Sequence, residues 1–447
     1  MKVITADVSS LTADDLAVQV LGVAQFASPM AAMLGARKTS IHWVDETDRV
    51  LFDDTIGRAA SRGQAVANLP AFEPSGPRSA LYFDPDNTHA GIVTCGGLCP
   101  GLNNVVRGLV LELLDRYGVA EVTGFTDGYR GLTAEGAKES ITLTPQLVHD
   151  IQNQGGTILG TSRGAQDPQE MVDTLIEMGI SILFVLGGDG SLRGAQAIAE
   201  VARDRGVDLA VIGIPKTIDN DIPFIDRSFG FQTAFARAAE SIRAASIEAM
   251  STPNGVGIVK LMGRHSGFIT CYAALAHHDV DFVVIPEVPF KFEGSNGLLA
   301  AIRRRVQDQG HAVIVVAEGA GQHLLRPTGT DASGNSKLAD VGIMLRDRVA
   351  HHFSTEGLEL SVRYVDPGYA IRSVPANGYD AVYCLRLAQA AVHAAMAGRT
   401  SMVVGLWHDR FVHIPISLAT GSRNQVDPDG DLWMSVLEAT GQPSTFE

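Results

Sequence analysis

A glycine-rich turn near the middle of the chain constrains the fold more than any other stretch. The apolar residues 183–186 have the length of one buried strand, residues 187–191 read Gly-Gly-Asp-Gly-Ser, and residues 195–201 show helical periodicity. Glycines at a strand end let backbone N–H groups approach an anion, and the N-terminus of the next helix favours negative charge. Asp189 suits such a site if a divalent cation lies between it and phosphate oxygens, but an Asx turn explains it equally well.

The composition excludes several classes of protein. Of the 447 residues, 45% are hydrophobic and 19% charged, a balance typical of globular proteins with two or three domains. A net charge of −15 disfavours nucleic-acid binding, and no apolar run has the length of a membrane span. The first residues lack a basic segment followed by an apolar one, and the four scattered cysteines do not suggest a disulfide framework. We therefore expect a cytoplasmic protein.

From residue 90 onward, apolar strands alternate with glycine turns and helices. The expected strands are 90–95, 121–125, 183–186 and 210–214 in the first half, and 255–261, 282–287 and 312–317 in the second. Strands that are apolar throughout and alternate with helices predict a parallel sheet covered on both faces. The predicted fold class is α/β, with two Rossmann-like three-layer α/β/α lobes and a cleft between them.

The domain organisation follows from this alternation. Residues 1–86, repeatedly broken by proline, are predicted to form an N-terminal extension without chemistry of its own, with short strands at 41–44 and 50–52. The first lobe is predicted to comprise residues 87–231 and 371–425, the second lobe residues 232–370, and the C-terminal tail residues 426–447. Ligands of such sheets bind beyond the carboxyl ends of the strands, where the glycine, arginine and aspartate clusters fall.

A second motif, Thr217-Ile218-Asp219-Asn220-Asp221, follows the predicted strand 210–214. In an extended segment, side chains two residues apart point the same way, so Asp219 and Asp221 are predicted to lie side by side. Each carboxylate raises the proton affinity of the other, which suits one to act as a general base while the other orients it or contacts a metal shell. An ordinary polar turn is the alternative, and the position after two glycine turns favours the chemical interpretation.

Four motifs together resemble the 6-phosphofructokinase family. They are Gly96-Gly97 with the sequence Pro-Gly-Leu-Asn at 100–103, the turn at 187–191, the sequence Pro-Lys-Thr-Ile-Asp-Asn-Asp at 215–221, and Met262-Gly263-Arg264. Each motif is weak alone, but all four stand in the order and spacing of that family, and the likeness runs from about residue 91 to about residue 406. Residues 369–377 and the long extension are most similar to an atypical branch found in some bacteria, plants and trypanosomatids.

The resemblance implies phosphoryl transfer to the 1-hydroxyl of fructose 6-phosphate, which gives fructose 1,6-bisphosphate in glycolysis. It implies a donor-binding first lobe, a sugar-phosphate-binding second lobe and a magnesium ligand at Asp189. The implied catalytic residues are Asp219 as general base, with Asp221, Arg264 and Lys216. Implied for the donor are Gly97, Arg163, Gly164, Gly188, Asp189, Gly190 and Ser191. Implied for the sugar phosphate are Thr217, Asp219, Met262, Gly263, Arg264, Glu318, Arg363, Tyr369 and Arg372.

The identity of the donor depends on two positions. Family members that use pyrophosphate typically have an aspartate directly after the metal aspartate and a lysine before Thr-Ile-Asp-Asn-Asp. This chain has Gly190 at the first position and Lys216 at the second. A side chain at the first position would exclude a nucleotide, whereas a lysine attracts either donor. ATP is therefore the predicted donor, and a pyrophosphate-dependent enzyme is the alternative.

The sequence departs from the short bacterial members of this family in two places, and two other classes of protein share part of its pattern. Residues 251–255 contain no basic residue where short bacterial members often have an arginine that reaches a neighbouring subunit's substrate, and Tyr369 stands where they have histidine. NAD kinases and lipid kinases share the Gly-Gly-Asp-Gly turn but lack the other segments. A non-catalytic regulatory subunit would have lost an acidic residue, yet Asp189, Asp219 and Asp221 are present.

The resemblance to the family also implies that the protein assembles as a homotetramer.

Overall fold

Two β-sheets flanked by helices organise the molecule. The structure is a computed structural model, and it describes residues 2–4, 10–36, 42–325, 329 and 338–447. Within these residues the larger sheet has nine strands and the smaller sheet has four. This architecture confirms the predicted α/β fold with two lobes.

The centre of the larger sheet is parallel. Ile182–Gly187 and Ala210–Pro215 are buried along their whole length, as their continuous apolar sequence predicts, and each pairs with parallel strands on both sides. Antiparallel strands complete both edges. From edge to edge, the order is Val50–Leu51, Ala71–Pro74, Arg410–Pro415, Met402–Trp407, Ala210–Pro215, Ile182–Gly187, His89–Thr94, Glu121–Phe125 and Ile141–Thr142.

The smaller sheet is parallel throughout its described strands, and all of them fall within residues 232–370. Its order is Phe282–Val284, His311–Ala317, Gly255–Leu261 and Ser361–Val365. The two central strands pair in register from Gly255 opposite His311 to Leu261 opposite Ala317. Their carboxyl ends therefore deliver Met262 and Glu318 to the same edge of the sheet.

Helices cover both sheets with their apolar faces. Asp189–Asp204, for example, buries Leu192, Ala195, Ile198 and Ala202, which recur at helical spacing. The described α-helices are Pro29–Ala36, Ile56–Ser61, Leu102–Leu111, Pro168–Glu177, Asp189–Asp204, Phe231–Met250, Phe268–Leu275, Leu298–Gln309, Val341–Thr355, Gly368–Arg372, Gly378–Met396, Ile416–Gly421 and Asp431–Thr440. None of these helices is long and apolar enough to cross a membrane.

The N-terminal extension adds two strands to the edge of the larger sheet. Val50–Leu51 forms as predicted, and Ala71–Pro74 joins it to Arg410–Pro415. The prediction of a strand at 41–44 is wrong for residues 42–44, and residue 41 lies outside the described residues. Val44 donates its backbone N–H to the Pro77 carbonyl and accepts a hydrogen bond of 3.0 Å from Arg78 Nη1, so loop contacts and not a strand ladder hold this segment.

A strand near the N-terminus pairs with a strand near the C-terminus. Lys2–Ile4 pairs antiparallel with Asn424–Val426. Beyond this pair, the helix Asp431–Thr440 packs against Phe268–Leu275 of the second lobe, and Gln442 exchanges two hydrogen bonds with Val283. Residues 426–447 are thus packed against the second lobe.

Candidate active site

Three loops leave the larger sheet side by side. His89–Thr94, Ile182–Gly187 and Ala210–Pro215 are neighbouring parallel strands, with Leu186 opposite Thr94 and Gly187 opposite Pro215. Parallel strands in register end at one edge of the sheet. The loops that begin at residues 95, 188 and 216 therefore form one continuous surface at that edge.

Lys216 forms hydrogen bonds to two of the segments at this edge of the sheet. Its side chain is buried, its Nζ donates a hydrogen bond of 2.7 Å to the carbonyl oxygen of Gly97, and its backbone N–H donates one of 3.0 Å to Gly187. Burial lowers the pKa of Lys216, and the nearby Arg163 guanidinium lowers it further. The ammonium group thus holds the first glycine loop against the strand that precedes the aspartates.

Packing requires glycine at one position of the turn at 187–191 but not at another. A Cβ on Gly187 would lie 2.2 Å from the Cβ of Ser191, so packing requires glycine there. A Cβ on Gly190 would meet no atom within 4 Å, and Gly190 is exposed without a positive φ. Neither packing nor backbone conformation therefore requires glycine at position 190. Its missing side chain leaves open space beside Asp189.

The loop at 155–164 packs against the first glycine loop. The hydroxyl of Thr161 donates to the Gly96 carbonyl at 2.5 Å, and the Gly96 N–H donates to the Ser162 carbonyl at 3.2 Å. Gly164 follows in a left-handed conformation with φ +110°. Arg163 is exposed and lies close enough to Lys216 to affect its pKa, so the loop that carries Arg163 and Gly164 lies beside the first glycine loop.

The two aspartates of the acidic motif lie on a turn, which corrects the prediction of an extended segment. Asn220 adopts a left-handed conformation with φ 56°, and its buried Oδ1 accepts a hydrogen bond from the Ser228 N–H. Thr217 closes the turn because its hydroxyl accepts from the Asp219 N–H at 3.1 Å and donates to Asp221 Oδ1 at 2.9 Å. The two carboxylates still interact electrostatically, because the charge of Asp221 raises the pKa of Asp219.

Asp219 has the most perturbed carboxyl group of the cluster. Its Oδ1 is shielded from solvent and has no hydrogen-bond partner among the described residues. Burial raises the pKa of Asp219 well above its usual range, and the carboxylates of Asp221 and Glu318 act in the same direction. A carboxylate with raised proton affinity and a vacant acceptor atom is suited to take a proton from a bound hydroxyl group.

The Met-Gly-Arg loop of the second lobe reaches across to Asp219. Gly263 has φ +126°, and a Cβ there would lie 2.4 Å from the Ser266 carbonyl oxygen, so this tight turn requires glycine. The turn places the Arg264 backbone N–H in hydrogen-bonding contact with the Asp219 carboxylate, while the Ser266 hydroxyl donates to the Asp219 carbonyl at 3.0 Å. The motif thus connects the two lobes at the acidic cluster, and Met262 lies half-buried beside it.

Glu318 and Arg372 approach the same place from two further segments. Burial raises the pKa of Glu318, and the cations of Arg264 and Arg372 oppose that rise. Arg372 lies over the ring of Tyr369, 4.7 Å from its centroid, and its Nη1 is 4.0 Å from the point that a Cβ on Gly97 would occupy. Arg372 therefore lies between the first glycine loop and Glu318. Tyr369 itself is 79% exposed.

Arg363 is not brought to this cluster within one chain. On the strand Ser361–Val365 it lies opposite Gly257 of the neighbouring strand Gly255–Leu261. Gly257 is five residues, or about 16 Å, before Met262, which follows the end of that strand. The Arg363 side chain is 46% exposed and forms an ion pair with Glu248 at 3.5 Å. This arginine therefore lies away from the acidic cluster of its own chain.

Sequence reasoning missed Arg423, which bridges the two parts of the site. Its Nη1 donates to Asp221 Oδ2 at 2.8 Å, and its Nη2 lies 3.4 Å from Asp189 Oδ2. Arg193 contacts the other oxygen of Asp189 at 2.6 Å. Arg423 is separated from Asp221 by 202 residues and belongs to no recognisable motif, so no signal in the sequence linked them.

A single carboxylate is suited to a magnesium ion that arrives with phosphate. No cluster of three His, Cys, Asp or Glu side chains that could hold a metal occurs among the described residues. Mg²⁺ is commonly bound through one or two carboxylates together with substrate phosphates. Asp189 borders a cavity of about 370 Å³ that Arg193 and Arg423 also line, and its oxygens are of the hard type that Mg²⁺ prefers. The residues present therefore fit such an ion.

Glycine loops at helix N-termini, converging arginines and a shielded carboxylate, set between two α/β lobes, define the class of two-lobed phosphotransferases. A family model described as Phosphofructokinase matches residues 89–395. ATP-dependent 6-phosphofructokinase of Amycolatopsis methanolica is 58% identical over 445 residues, which cover 98% of this chain and 97% of that relative. The enzyme of the same name from Borreliella burgdorferi is 44% identical over 441 residues, with 97% and 98% covered. The chain belongs to the phosphofructokinase family.

A solved structure shows the same fold at much lower identity. The crystal structure of pyrophosphate-dependent phosphofructokinase from Marinobacter aquaeolei matches with a TM-score of 0.66 and 20% identity. The match covers 80% of this chain and 93% of that one. At this identity the likeness describes the fold alone, and it does not bear on the donor.

Proposed function

We propose that this protein transfers the γ-phosphoryl group of ATP to the 1-hydroxyl of fructose 6-phosphate and so produces fructose 1,6-bisphosphate in glycolysis. The observation that carries the proposal is the shielded Asp219 carboxylate, held between the donor-side glycine loops and the Met-Gly-Arg loop. The full-length relatives named ATP-dependent 6-phosphofructokinase support the same activity.

In this proposal the two lobes divide the substrates. Residues 87–231 with 371–425 form the donor lobe, and residues 232–370 form the sugar-phosphate lobe. The donor contacts are assigned to Gly97, Arg163, Gly164, Gly188, Asp189, Gly190 and Ser191. The sugar-phosphate contacts are assigned to Thr217, Asp219, Met262, Gly263, Arg264, Glu318, Arg363, Tyr369 and Arg372.

The chemical step needs one base and several cations. Asp219 accepts the proton of the attacking 1-hydroxyl, because its raised proton affinity suits that transfer. The side chains of Arg264 and Arg163 neutralise charge that spreads over the phosphoryl oxygens, and Lys216 holds the donor loop in place. Asp221 orients the acidic cluster through Thr217.

Magnesium is assigned to Asp189. Asp189 would hold the ion, and a bound Mg²⁺ would supply positive charge that offsets the charge of the donor phosphates. The backbone of the turn at 188–191 supplies N–H groups at the N-terminus of the helix Asp189–Asp204, which favour the remaining negative charge.

The preference for ATP rests on the open space at Gly190. Neither packing nor φ requires glycine there, so the absence of a side chain is available for a nucleotide. Lys216, the residue that resembles the pyrophosphate type, is buried and bonded to the Gly97 carbonyl, which assigns it a structural part in the donor loop. Steric room at position 190 therefore decides between the donors.

A coupled assay with fructose 6-phosphate and magnesium, run with ATP and then with pyrophosphate, tests this function. We expect turnover with ATP, and a preference for pyrophosphate would overturn the donor assignment. Gly190→Asp should abolish ATP use by placing a carboxylate in the path of the nucleotide. The variant is expected to fold, because its side chain meets open space at a helix N-terminus that favours negative charge.

Two controls separate charge from bulk at this position. Gly190→Asn adds the same volume without charge, and Gly190→Ala adds a single methyl group. We expect ATP activity to fall in the order Ala, Asn, Asp. Undiminished ATP activity in folded Gly190→Asp protein would refute the steric argument.

We also propose a cytoplasmic homotetramer. Arg363 lies too far from the acidic cluster to meet a sugar phosphate in its own chain, so its assigned contact requires a second copy. The four cysteines are buried free thiols, which suits a reducing compartment. Light scattering coupled to size-exclusion chromatography tests the assembly, and a monomer that is fully active would contradict it.

A further inference from the structure

One guanidinium group contacts both Asp189, to which the proposed function assigns magnesium, and Asp221 of the acidic motif. Arg423 contacts Asp221 Oδ2 at 2.8 Å and Asp189 Oδ2 at 3.4 Å, so one side chain spans the donor turn and the acidic motif. The Asp221 side chain is 12% exposed and that of Asp189 24% exposed. At this degree of burial, screening by solvent is reduced relative to a fully exposed pair.

The backbone around Arg423 is fixed on three sides. The N–H of Asn424 donates to the Asp221 carbonyl at 2.8 Å, and its side-chain amide donates to the Ile222 carbonyl at 2.7 Å. The Gln425 side chain donates to the His265 carbonyl at 3.0 Å, and the Val426 N–H donates to Glu287 at 2.8 Å. The segment thus holds Arg423 at the junction of both lobes, so its contact with Asp189 is built into the fold.

Arg423 and Arg193 differ in what they contact. Arg193 extends from the helix of Asp189 itself, is 57% exposed, and pairs with Asp189 four residues earlier. Arg423 arrives from a distant segment, faces the cavity of about 370 Å³ and joins two carboxylates. Arg423 therefore has a second anchor, Asp221, on which it remains if Asp189 is taken by another cation.

We propose that Arg423 is an internal counter-cation that competes with the donor's divalent metal for Asp189. In the free protein it neutralises Asp189 and Asp221 together. When the metal takes Asp189, Arg423 stays with Asp221 and remains beside the phosphates as a positioning residue. The proposal rests on the proposed function for the identity of the metal-bound donor.

The test is a titration of the free protein with Mn²⁺, followed by electron paramagnetic resonance of the unbound ion, without nucleotide or sugar. We expect Arg423→Gln to bind Mn²⁺ about two- to tenfold more tightly than wild type, because an ion pair that opposes metal binding is gone. Arg203→Gln is the matched control. It removes the same charge from the far end of the helix Asp189–Asp204, where Arg203 pairs with Asp204, and should leave Mn²⁺ affinity unchanged.

A double-mutant cycle ties the effect to Asp189. In an Asp189→Asn background, Arg423→Gln should no longer tighten Mn²⁺ binding. Unchanged or weaker binding in folded Arg423→Gln protein would overturn the proposal, as would a gain that persists in the Asp189→Asn background. A wrong proposed function would appear separately, as absent fructose 6-phosphate phosphorylation by wild type.

Discussion

Asp219 combines two properties that rarely occur in an exposed carboxylate. Its Oδ1 lacks a hydrogen-bond partner among the described residues. Its pKa is raised by burial and by two neighbouring carboxylates. A group with a single structural purpose would have satisfied that oxygen. Both properties suit a base that completes its hydrogen bonds only with substrate.

Asp219→Asn should retain substrate binding and lose turnover by about 10²- to 10⁴-fold, because an amide preserves shape but does not accept the hydroxyl proton. Steady-state kinetics with both substrates, with binding measured by calorimetry, checks this expectation. Wild-type turnover in the variant would disprove the base assignment.

The raised pKa of Asp219 also predicts a pH dependence for the wild type. As the pH falls, kcat/KM should begin to decline at a higher pH than it would with an ordinary aspartate as the base.

Arg372→Ala should raise KM for fructose 6-phosphate by about tenfold or more, and far more than KM for ATP. The reason is that a charge-assisted phosphate contact is lost for one substrate. Arg203→Ala, which removes a surface arginine paired with Asp204, serves as the control. Because Arg372 also lies near Gly97, equal effects on both constants would show that it does not discriminate the substrates.

At the level of single residues, the sequence predicted positions whose chemistry is tied to a local backbone pattern. Gly263 and Gly187 leave such patterns because a Cβ at either position would overlap neighbouring atoms. Arg423 leaves none, since its role depends on a contact between segments 202 residues apart. The extended geometry predicted for the aspartates was wrong because the Asn220 side chain stabilises a left-handed turn.

Among the elements, the strand Ala71–Pro74 attaches the extension to the main body through buried charges. Glu73 accepts hydrogen bonds from Arg78 at 2.6 Å and from Arg399 at 2.7 Å, and both arginines are buried. Burial opposes ionisation of Glu73, yet His413 and Arg399 outweigh it and lower its pKa. The extension, predicted to lack chemistry, is therefore an integral edge of the larger sheet.

Glu73→Gln should lower the free energy of unfolding by about 3–5 kcal/mol, because it leaves two buried guanidinium groups with the exposed Glu46 but without the buried anion that they share. Urea denaturation at neutral pH measures the loss. Glu46→Gln is the matched control, since Glu46 also contacts Arg399 but is 66% exposed, and its loss should cost at most about 1 kcal/mol. Equal losses in the two variants would contradict this account of the attachment.

Elements that are apolar throughout were predictable, and elements that depend on partners were not. Ile182–Gly187 and Ala210–Pro215 formed within one residue of the predicted bounds, because burial on both faces requires continuous apolar sequence. Residues 42–44 have β-forming side chains but no neighbouring strand, and Val44 bonds to Pro77 instead. Strand formation there depended on pairing that the local sequence does not encode.

Across the whole molecule, buried histidines couple stability to pH. His393 is buried beside Tyr117, whose hydroxyl group lies 2.8 Å from its Nδ1. Burial, with His413 and Arg78, lowers the pKa of His393 from 6.5 to about 3. Its neutral form is therefore favoured in the folded state, so its stabilisation is fully present above pH 6.5 and is lost progressively as the pH falls toward 3.

We expect the free energy of unfolding to decline below pH 6.5 by up to about 1.4 kcal/mol per pH unit from this residue. His393→Asn, which keeps an acceptor near the Tyr117 hydroxyl but does not titrate in this range, should lack that part of the slope. Urea unfolding of both proteins between pH 5 and pH 8 makes the comparison. Identical slopes would show that His393 does not contribute.

The attachment of the extension has a consequence for how the protein is made. Glu73 and Arg399 are separated by 326 residues, so Glu73 leaves the ribosome long before its partner exists. At roughly 5–20 residues per second, the interval is roughly 16–65 s. Throughout that time Phe72, fully buried in the finished protein, has no Arg410–Pro415 strand to cover it. The strand Ala71–Pro74 thus completes its pairing only late in synthesis, and until then its unpaired edge is open to pairing with other chains.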